Sequence, residues 1–228
     1  MRYRAIRRWL PRFLHRRLLA FEAAIEDAVG RFAAALPAGV RVLDAGAGEG
    51  VHARYFAHHR YVGVDLAVGD PGWDYSRLDV IADLAALPFP DGCFQACLNV
   101  VTLEHVREPA RVLAELWRVL SPGGRLLLIV PQEWEIHQAP HDYFRFTRYG
   151  LCYLIEQAGF RLEHLEAAGG FFRLLARRLL NGLQFFRGPA FLLAALAAVP
   201  AALVLPWLDG LDRERNFTLG YVCTAVKP

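Results

Sequence analysis

The sequence predicts an α/β domain whose core is a mostly parallel β-sheet. Short apolar runs rich in strand-forming residues alternate with segments in which apolar residues recur every three or four positions, as on one face of a helix. Such alternation is typical of parallel sheets covered by helices. At 228 residues the chain is long enough for one such domain and somewhat short for two. We therefore expect one domain with additions.

Each element has a local signal. A first helix is expected to follow Pro11, a common first-turn residue, and to end at Pro37 and Gly39. The predicted strands cover residues 40–45, 61–66, 78–81, 94–100, 125–130, 160–166 and 218–226. Further helices are predicted at residues 51–58, 109–120 and 149–158, with a turn at residues 121–124.

The N-terminal residues are strongly basic. Before the first acidic residue, Glu22, seven arginines are interleaved with apolar side chains, namely Arg2, Arg4, Arg7, Arg8, Arg12, Arg16 and Arg17. We interpret residues 1–37 as a basic, amphipathic helical segment that could meet an anionic surface. Because arginines interrupt the apolar residues, no cleavable signal peptide is predicted, and the domain at residues 38–228 is expected to be cytoplasmic.

The four cysteines do not have the spacing of a zinc site or a redox pair. Cys93, Cys97, Cys152 and Cys223 form neither a Cys-x-x-Cys motif nor a Cys/His array. We expect reduced thiols in the core.

A glycine-rich loop follows the first predicted strand. Gly46, Gly48 and Gly50 lack a Cβ, so the backbone can come close to a ligand. This spacing alone also fits dinucleotide-binding enzymes, in which a pyrophosphate lies over a helix N-terminus. Asp44, directly before the loop, would attract a cationic ligand and repel a pyrophosphate. Asp65, at the end of the next strand, could accept hydrogen bonds from both hydroxyls of a ribose.

Together with residues 83–94, 103–106 and 115–124, the loop resembles the class I, Rossmann-like S-adenosylmethionine-dependent methyltransferases, over about residues 40–159. The resemblance implies a three-layer fold with a seven-stranded, mostly parallel sheet and an antiparallel last strand. It also implies S-adenosyl-L-methionine as cofactor. The residues expected to bind it are Asp44, Gly46, Gly48, Gly50, Asp65, Leu66, Asp83, Leu84 and Asn99. For Asp83 the alternative is a turn residue or helix cap.

Glu104 and His105 are the first candidates for acceptor chemistry. A hydroxyl acceptor must lose its proton, and His105 could act as the base, with Glu104 orienting it or binding the acceptor. The alternative is a loop histidine that only shapes the cofactor pocket. The pair is similar to one in quinone-pathway O-methyltransferases, where an acidic residue three positions earlier helps to hold a divalent metal. Here that position is Val101, so no metal is predicted.

A polar and aromatic stretch at residues 131–147 follows a predicted strand, where open α/β sheets place ligands. It is similar to a His-x-x-Pro-His-Asp-Tyr-x-Arg-Phe-Thr stretch of a bacterial methyltransferase subgroup. The residues that could bind the acceptor are His137, His141, Asp142, Tyr143 and Arg145, and His141 is a second candidate base. Alternatively, Asp142 pairs with Arg145, and Thr147 caps the next helix.

Residues 188–208 contain no charged side chain, and residues 170–210 are interpreted as an apolar helical insertion before the last strand. Their length approaches that needed to span a bilayer. Because the last strand must rejoin the sheet, a single crossing is excluded, and Pro200 and Pro206 should kink or split a helix. We expect a hairpin or in-plane helix at a lipid interface, or a surface covered by the core or by a second copy in a homodimer.

Three function classes remain. The preferred one is S-adenosylmethionine-dependent O-methylation of a small-molecule, sugar or lipid-linked acceptor, on the inner face of an anionic membrane. The second is a non-catalytic S-adenosylmethionine-binding or membrane-tethered interaction module. The third, an NAD-dependent oxidoreductase, lacks a Tyr-x-x-x-Lys pair, since Lys227 is the sole lysine. No RNA-binding motif accompanies the basic N-terminus, so nucleic acid is not an expected partner.

Overall fold

The computed structural model describes residues 17–228, so most of the predicted basic segment lies outside the described residues. The described residues form two compact units, one made up of residues 17–26 with 167–220 and the other of residues 27–166 with 221–228. The second unit contains the sheet, and the first contains the apolar insertion.

The sheet has seven strands and is the predicted α/β architecture. The strands are β1 (Arg41–Ala45), β2 (Arg60–Asp65), β3 (Val80–Ile81), β4 (Phe94–Val100), β5 (Leu120–Pro131), β6 (Arg161–Ala167) and β7 (Gly220–Val226). Their order is β3-β2-β1-β4-β5-β7-β6. The pairs β1–β2, β1–β4, β2–β3 and β4–β5 are parallel, and the last strand is antiparallel, as expected.

In the described part of the chain, three α-helices lie outside the apolar insertion. They are α1 (Ala20–Ala34), α2 (Pro109–Val119) and α3 (Arg148–Gln157). In α2, apolar residues three or four positions apart form one buried face, which includes Val112, Leu116 and Val119. The central strands are buried on both faces, as parallel strands covered by helices must be.

The predicted helix at residues 51–58 is wrong, because only a 3₁₀ turn forms there, at Ala53–Tyr55. Gly46, Gly48 and Gly50 all have positive φ, so the loop occupies the chain up to Gly50. At the carboxyl end of this segment, the carbonyl of His58 accepts a hydrogen bond from the Gly39 amide, just before β2 begins at Arg60. Too few residues remain between these anchors for a regular helix, and i to i+3 hydrogen bonds form instead.

The predicted turn at residues 121–124 lies within a longer strand. β5 starts at Leu120 opposite Phe94 and resumes its pairing at Arg125 opposite Ala96, so the intervening residues form an irregularity. Gly123, at φ 74°, donates its amide to the carbonyl of Lys227 at 2.8 Å. The edge of this irregularity therefore pairs with the chain that follows β7.

The insertion consists of two helices followed by 3₁₀ structure. α4 (Phe171–Gly182) leads through a 3₁₀ turn at Leu183–Phe185 to α5 (Gly188–Val204), and a second 3₁₀ segment covers Leu205–Leu211. Of the two expected effects, kinking or splitting, Pro200 does not split the helix, since α5 continues through it, while Pro206 lies at the change to 3₁₀ geometry. The two ends of the insertion meet, because the Ala168 amide donates a hydrogen bond to the carbonyl of Gly220 at 2.8 Å.

Candidate cofactor and acceptor site

The glycine loop comes directly after β1 and has the close backbone packing expected of a ligand cradle. Gly46 has φ 91°, and a Cβ there would lie 2.2 Å from Cγ2 of Thr102. Gly48 has φ 54°, and a Cβ there would lie 3.1 Å from the ring of Trp73. Both conformations favour glycine. The loop is thus packed between Thr102, which lies just beyond β4, and Trp73 from the β2–β3 connection.

Asp65 ends β2 beside this loop. Its two carboxylate oxygens accept backbone hydrogen bonds, one from Gly48 at 2.9 Å and one from Ala67 at 2.8 Å. Each carboxylate oxygen has a further lone pair, so the group can still accept hydrogen bonds from a ligand. These bonds fix the orientation of the carboxylate, and its ribose-binding role stays a prediction.

Asp44 is fully buried at the end of β1. Its Oδ2 accepts a hydrogen bond of 2.6 Å from the Tyr61 hydroxyl, whereas Oδ1 finds no partner among residues 17–228. Burial raises the pKa of Asp44 to about 7, although the Tyr61 hydrogen bond opposes the rise. A buried carboxylate with one free oxygen is suited to a cationic ligand.

Asn99 lies on β4, which pairs with β1. Its side-chain amide donates to the carbonyl of Ala45 at 2.8 Å, while its buried Oδ1 has no partner in the described part of the chain. Asp44 and Asn99 thus each keep one buried acceptor oxygen at the carboxyl ends of adjacent strands. An ammonium group needs such acceptors and a negative charge, and the expected role of Asp44 and Asn99 in holding the cofactor stays a prediction.

The remaining predicted cofactor residues lie on connections beyond β2 and β3. Asp83 is exposed and accepts a 2.9 Å hydrogen bond from the Ala85 amide, as in the turn role that was the alternative. Leu84 is buried, and Leu66 is half exposed. Contact of these three residues with adenine remains a prediction.

Glu104, His105 and His137 form a compact cluster on the acceptor side. Nε2 of His105 lies 3.1 Å from Nε2 of His137, and Oε1 of Glu104 lies 3.7 Å from the first nitrogen and 3.8 Å from the second. Glu104 is fully buried, and neither of its carboxylate oxygens has a hydrogen-bond partner within residues 17–228. Burial lowers the pKa of His105. For His137, burial also lowers the pKa, but Glu104 and a backbone carbonyl outweigh it and raise it overall.

Residues 131–147 form a loop held by its own polar groups. Asp142 and Arg145 pair through two hydrogen bonds, of 2.6 and 2.8 Å, as the alternative interpretation expected. Asp142 also accepts from the His137 amide at 2.9 Å, and Arg145 donates to backbone carbonyls of Trp134, Glu135 and Phe144. Both side chains therefore position the loop that carries His137.

The other predicted residues of this loop have local partners. The Thr147 hydroxyl accepts a 3.2 Å hydrogen bond from the Gly150 amide and caps α3, as the second alternative expected. The ring of His141 lies beside Tyr143, with Nδ1 3.2 Å from the hydroxyl, while the backbone carbonyl of His141 accepts from His105. The structure thus brings His137, but not the His141 ring, to Glu104 and His105.

Three contributing residues were missed by the sequence interpretation. Tyr61 hydrogen-bonds Asp44, Thr102 packs under Gly46, and Trp73 packs on Gly48. Thr102 could have been found from its position just after a strand, where ligand sites lie. Tyr61 begins the second predicted strand and looks like an ordinary core aromatic, and Trp73 lies in a connection without periodicity, so neither gives a sequence signal.

Comparison with known proteins supports the same assignment. Residues 43–128 match a family model described as a methyltransferase domain. A protein of Mycolicibacterium smegmatis named a probable S-adenosylmethionine-dependent methyltransferase is 33% identical over 138 residues, which are 55% of this chain and 54% of that protein. One of the same description from Mycobacterium tuberculosis is 28% identical over 211 residues, 82% of this chain and 77% of that protein. The chain spans about half the length of the first of these relatives.

Among solved structures, the 1,6-didemethyltoxoflavin-N1-methyltransferase of Burkholderia thailandensis, with bound S-adenosylhomocysteine, superimposes with a TM-score of 0.59 at 22% identity. The match covers 90% of this chain and 79% of that one, and at this identity it shows the fold alone. The sheet order, the glycine loop with its two aspartates and the family match agree. Residues 43–128 therefore resemble the methyltransferase domain of the class I, Rossmann-like, S-adenosylmethionine-dependent family, and the sheet has the fold of that family.

Proposed function

We propose that the protein transfers a methyl group from S-adenosylmethionine to an oxygen of a small-molecule, sugar or lipid-linked acceptor at a membrane surface. The methyl-transfer part rests on two buried oxygens beside the glycine loop, one of Asp44 and one of Asn99, that have no hydrogen-bond partner among residues 17–228. Such oxygens are costly unless a ligand supplies donors to them. A cationic amino-acid group is the donor that suits a carboxylate and an amide oxygen together.

The residues around the loop bind and orient the cofactor. S-adenosylmethionine supplies a methyl group on a sulfonium, which is already activated for displacement. Asp44 and Asn99 would hold the ammonium end, Asp65 the ribose, and the three glycines let the backbone approach. Holding both reactants in line is the main contribution such a site can make to the rate.

Proton removal from the acceptor falls to the cluster of Glu104, His105 and His137. The Thr102 side chain packs against Gly46, and Glu104 and His105 follow it within three positions, so the cluster lies beside the cofactor loop. An acceptor hydroxyl must lose its proton by the time its oxygen bonds to the methyl carbon. Nitrogen lone pairs and a carboxylate on the acceptor side favour an oxygen acceptor, which needs this help, over one that is already a good nucleophile.

The membrane part of the proposal depends on the surface of α5. Among the described residues, one helical segment, Gly188–Leu211, is long and apolar enough to cross a bilayer, and only 11% of its most apolar window is buried. Leu192, Leu193 and Leu196 are 67%, 71% and 75% exposed. An exposed apolar surface of this length exceeds what scattered surface leucines produce. A lipid bilayer is the occupant that we propose for it.

The insertion is tied at its base, so both of its ends leave from one place. Buried Asp209 accepts backbone hydrogen bonds of 3.1 Å from Gly170 and from Arg173 at the start of α4, and its carboxylate pairs with the guanidinium of Arg215. With the hydrogen bond between Ala168 and Gly220, this base supports a hairpin that enters and leaves a lipid surface from the same side. Such an arrangement is monotopic.

The membrane proposal is tested by flotation with liposomes of anionic and zwitterionic lipids. The triple variant Leu192→Gln/Leu193→Gln/Leu196→Gln removes exposed apolar side chains without touching the base of the insertion. The matched control is Tyr149→Gln/Tyr153→Gln, which changes two exposed aromatic side chains of α3. We expect the wild type and the control to float and the triple variant to stay in the soluble fraction. Equal flotation of all three, or of none, would contradict the proposal, and a concentration-dependent dimer without flotation would assign the surface to a second copy.

The acceptor class is tested by incorporation of a labelled methyl group. Purified protein is incubated with labelled S-adenosylmethionine and with separated lipid, lipid-linked sugar and small phenol fractions. We expect base-stable label, as in an ether, in the lipid or lipid-linked fraction. Base-labile label would indicate a carboxylate acceptor, and binding of the cofactor without label in any fraction would favour the non-catalytic module.

A further inference from the structure

The cluster of Glu104, His105 and His137 contains three ligand atoms that face one common point. The carboxylate oxygen lies 3.7 and 3.8 Å from the two imidazole nitrogens, which is too long for a hydrogen bond to either. The two nitrogens lie 3.1 Å apart, so the three atoms still form a compact group. A point equidistant from atoms at these separations lies about 2.1 Å from each, the length of zinc–nitrogen and zinc–oxygen bonds. The arrangement has the dimensions of a metal site.

The other nitrogen of each ring shows which atoms carry protons. Nδ1 of His105 lies 2.5 Å from the backbone carbonyl of His141, and Nδ1 of His137 lies 3.1 Å from the carbonyl of Glu135. A carbonyl only accepts, so both Nδ1 atoms donate, and in the neutral rings both Nε2 atoms present lone pairs. Metal-binding histidines are oriented in this way by a carbonyl or carboxylate behind the ring.

The three facing atoms repel one another unless a cation lies between them. Two nitrogen lone pairs meet at 3.1 Å, and the third group is a fully buried carboxylate whose oxygens have no hydrogen-bond partner within the described residues. Leaving a buried carboxylate unpaired is costly. A divalent ion would satisfy all three groups at once.

The donor set selects the kind of ion. Two imidazoles and one carboxylate suit first-row transition ions such as Zn²⁺, whereas Mg²⁺ prefers oxygen ligands and several waters. The sequence interpretation excluded a metal because Val101 replaces an acidic ligand. His137, which lies 32 residues beyond His105, provides a ligand from a different loop instead.

We propose that Glu104, His105 and His137 bind one divalent transition ion of the Zn²⁺ type, with a coordination position left for the acceptor oxygen. This role in catalysis rests on the proposed methyl transfer. With the ion bound, the imidazole lone pairs serve as ligands and do not take the proton. The ion would instead lower the pKa of the bound hydroxyl, whose proton would pass to solvent. The oxygen then bonds to the methyl carbon as the carbon–sulfur bond breaks, which gives the methyl ether and neutral S-adenosylhomocysteine.

The proposal also explains why the 131–147 loop is fixed so firmly. Asp142 accepts from the His137 amide and is itself paired with Arg145, so the backbone that carries the third ligand is held on both sides. A ligand taken from a loop must be positioned before the ion arrives, because ordering it later would reduce affinity. Asp142 and Arg145 are therefore positioning residues for His137.

The test is metal binding by the full chain after treatment with a chelator and removal of the chelator. Zn²⁺ is titrated against a competing indicator, and Co²⁺ is added separately to read its visible absorption. We expect one Zn²⁺ per chain with a Kd of about 1 µM or tighter, and the absorption of a four- or five-coordinate cobalt ion. His137→Gln should weaken Zn²⁺ binding by about 100-fold. The matched control, His164→Gln, removes an exposed imidazole of β6 and should bind as the wild type does.

Binding of S-adenosylhomocysteine, measured by calorimetry on the same samples, serves as the test of folding and separates the two proposals. A wild type that binds S-adenosylhomocysteine but shows no saturable Zn²⁺ binding and an octahedral cobalt spectrum overturns the metal site alone, and a proton then joins the two imidazoles. Unchanged Zn²⁺ affinity in His137→Gln also overturns it. A protein that binds neither ligand overturns both proposals. Should a variant fail to fold, the wild-type cobalt spectrum decides.

Discussion

The protonation state of the buried Asp44 carboxylate should depend on whether the cationic cofactor is bound. Without a ligand, the side chain is fully buried, one of its oxygens has no partner in the described part of the chain, and burial raises its pKa to about 7. Because the cofactor carries an ammonium group, its binding favours the ionised form of Asp44. The free protein therefore holds a proton below pH 7 that the complex releases.

This linkage predicts a pH-dependent affinity for S-adenosylhomocysteine. Below pH 7 the affinity should fall as pH falls, approaching about tenfold per pH unit, and above pH 8 it should be level, because the ionised carboxylate is then already present. Titration calorimetry across pH 5.5–8.5 measures it. Asp44→Asn should bind about tenfold more weakly at pH 8 and show a flatter profile. A profile in Asp44→Asn as steep as that of the wild type would assign the proton to another group.

Gly46 tests the packing of the cofactor loop. In Gly46→Ala the new Cβ would lie 2.2 Å from Thr102, in addition to the strain of φ 91°. Gly39→Ala is the control, since φ is also positive, at 78°, but no atom lies within 4 Å of the new Cβ. We expect the control to lose about 1 kcal/mol of unfolding free energy, and Gly46→Ala to lose about 2 kcal/mol more. Equal losses in chemical denaturation would show that the Thr102 contact is not tight.

At the scale of elements, the 131–147 loop is the part most dependent on single polar contacts. Arg145 donates to Asp142 and to three backbone carbonyls, which gives an irregular segment a defined path without helix or strand. The Asp142 side chain is only 2% exposed, so it depends on this partner.

Replacing Arg145 should therefore loosen the loop. We expect Arg145→Ala to lower the unfolding free energy by about 2 kcal/mol, since the buried Asp142 carboxylate would lose its guanidinium partner. Arg145→Lys should recover only part of this loss, because an ammonium cannot reproduce the planar, bidentate contact. Hydrogen exchange of the loop amides locates the effect. Full recovery by lysine would show that charge alone, without the geometry, holds the loop.

The sequence predicted these elements unevenly, for physical reasons. The strands were found because β1, β4 and β5 are largely buried and therefore contain short apolar runs. The helix at residues 51–58 was predicted wrongly because the positive φ values of Gly48 and Gly50 shorten the space available to it. The sequence left two roles open for Asp142, acceptor binding or pairing with Arg145. The structure shows the pairing, which depends on where the loop places Arg145.

At the scale of the whole molecule, the cofactor half of the site was more predictable than the acceptor half. Asp44 and Asp65 lie at the carboxyl ends of β1 and β2, so the sheet topology places both at the same edge of the sheet. The meeting of His137 with Glu104 depends instead on the path of an irregular loop, which no periodicity describes. The prediction of no metal considered only Val101 and neighbouring positions, and it did not weigh His137, which comes from a different loop.

The base of the insertion provides a test at this scale within its own unit. Asp209 accepts from amides at the start of α4 and pairs with Arg215, while it is only 5% exposed. Asp209→Ala should unfold the hairpin locally and make residues 183–211 sensitive to limited proteolysis, whereas binding of S-adenosylhomocysteine should persist. Asp209→Asn should have a smaller effect, because the amide oxygen still accepts. Unchanged proteolysis of Asp209→Ala would show that the hairpin does not depend on this base.

The most direct test of the central claim is titration calorimetry with S-adenosylhomocysteine and, separately, with NAD. We expect one S-adenosylhomocysteine per chain with a Kd on the order of 1–100 µM, no heat with NAD, and a loss of at least about tenfold in affinity for Asp65→Ala. Thermal unfolding of the free Asp65→Ala protein controls for folding. No binding of S-adenosylhomocysteine by the folded wild type, or binding of NAD in its place, would contradict the assignment of the glycine loop to this cofactor.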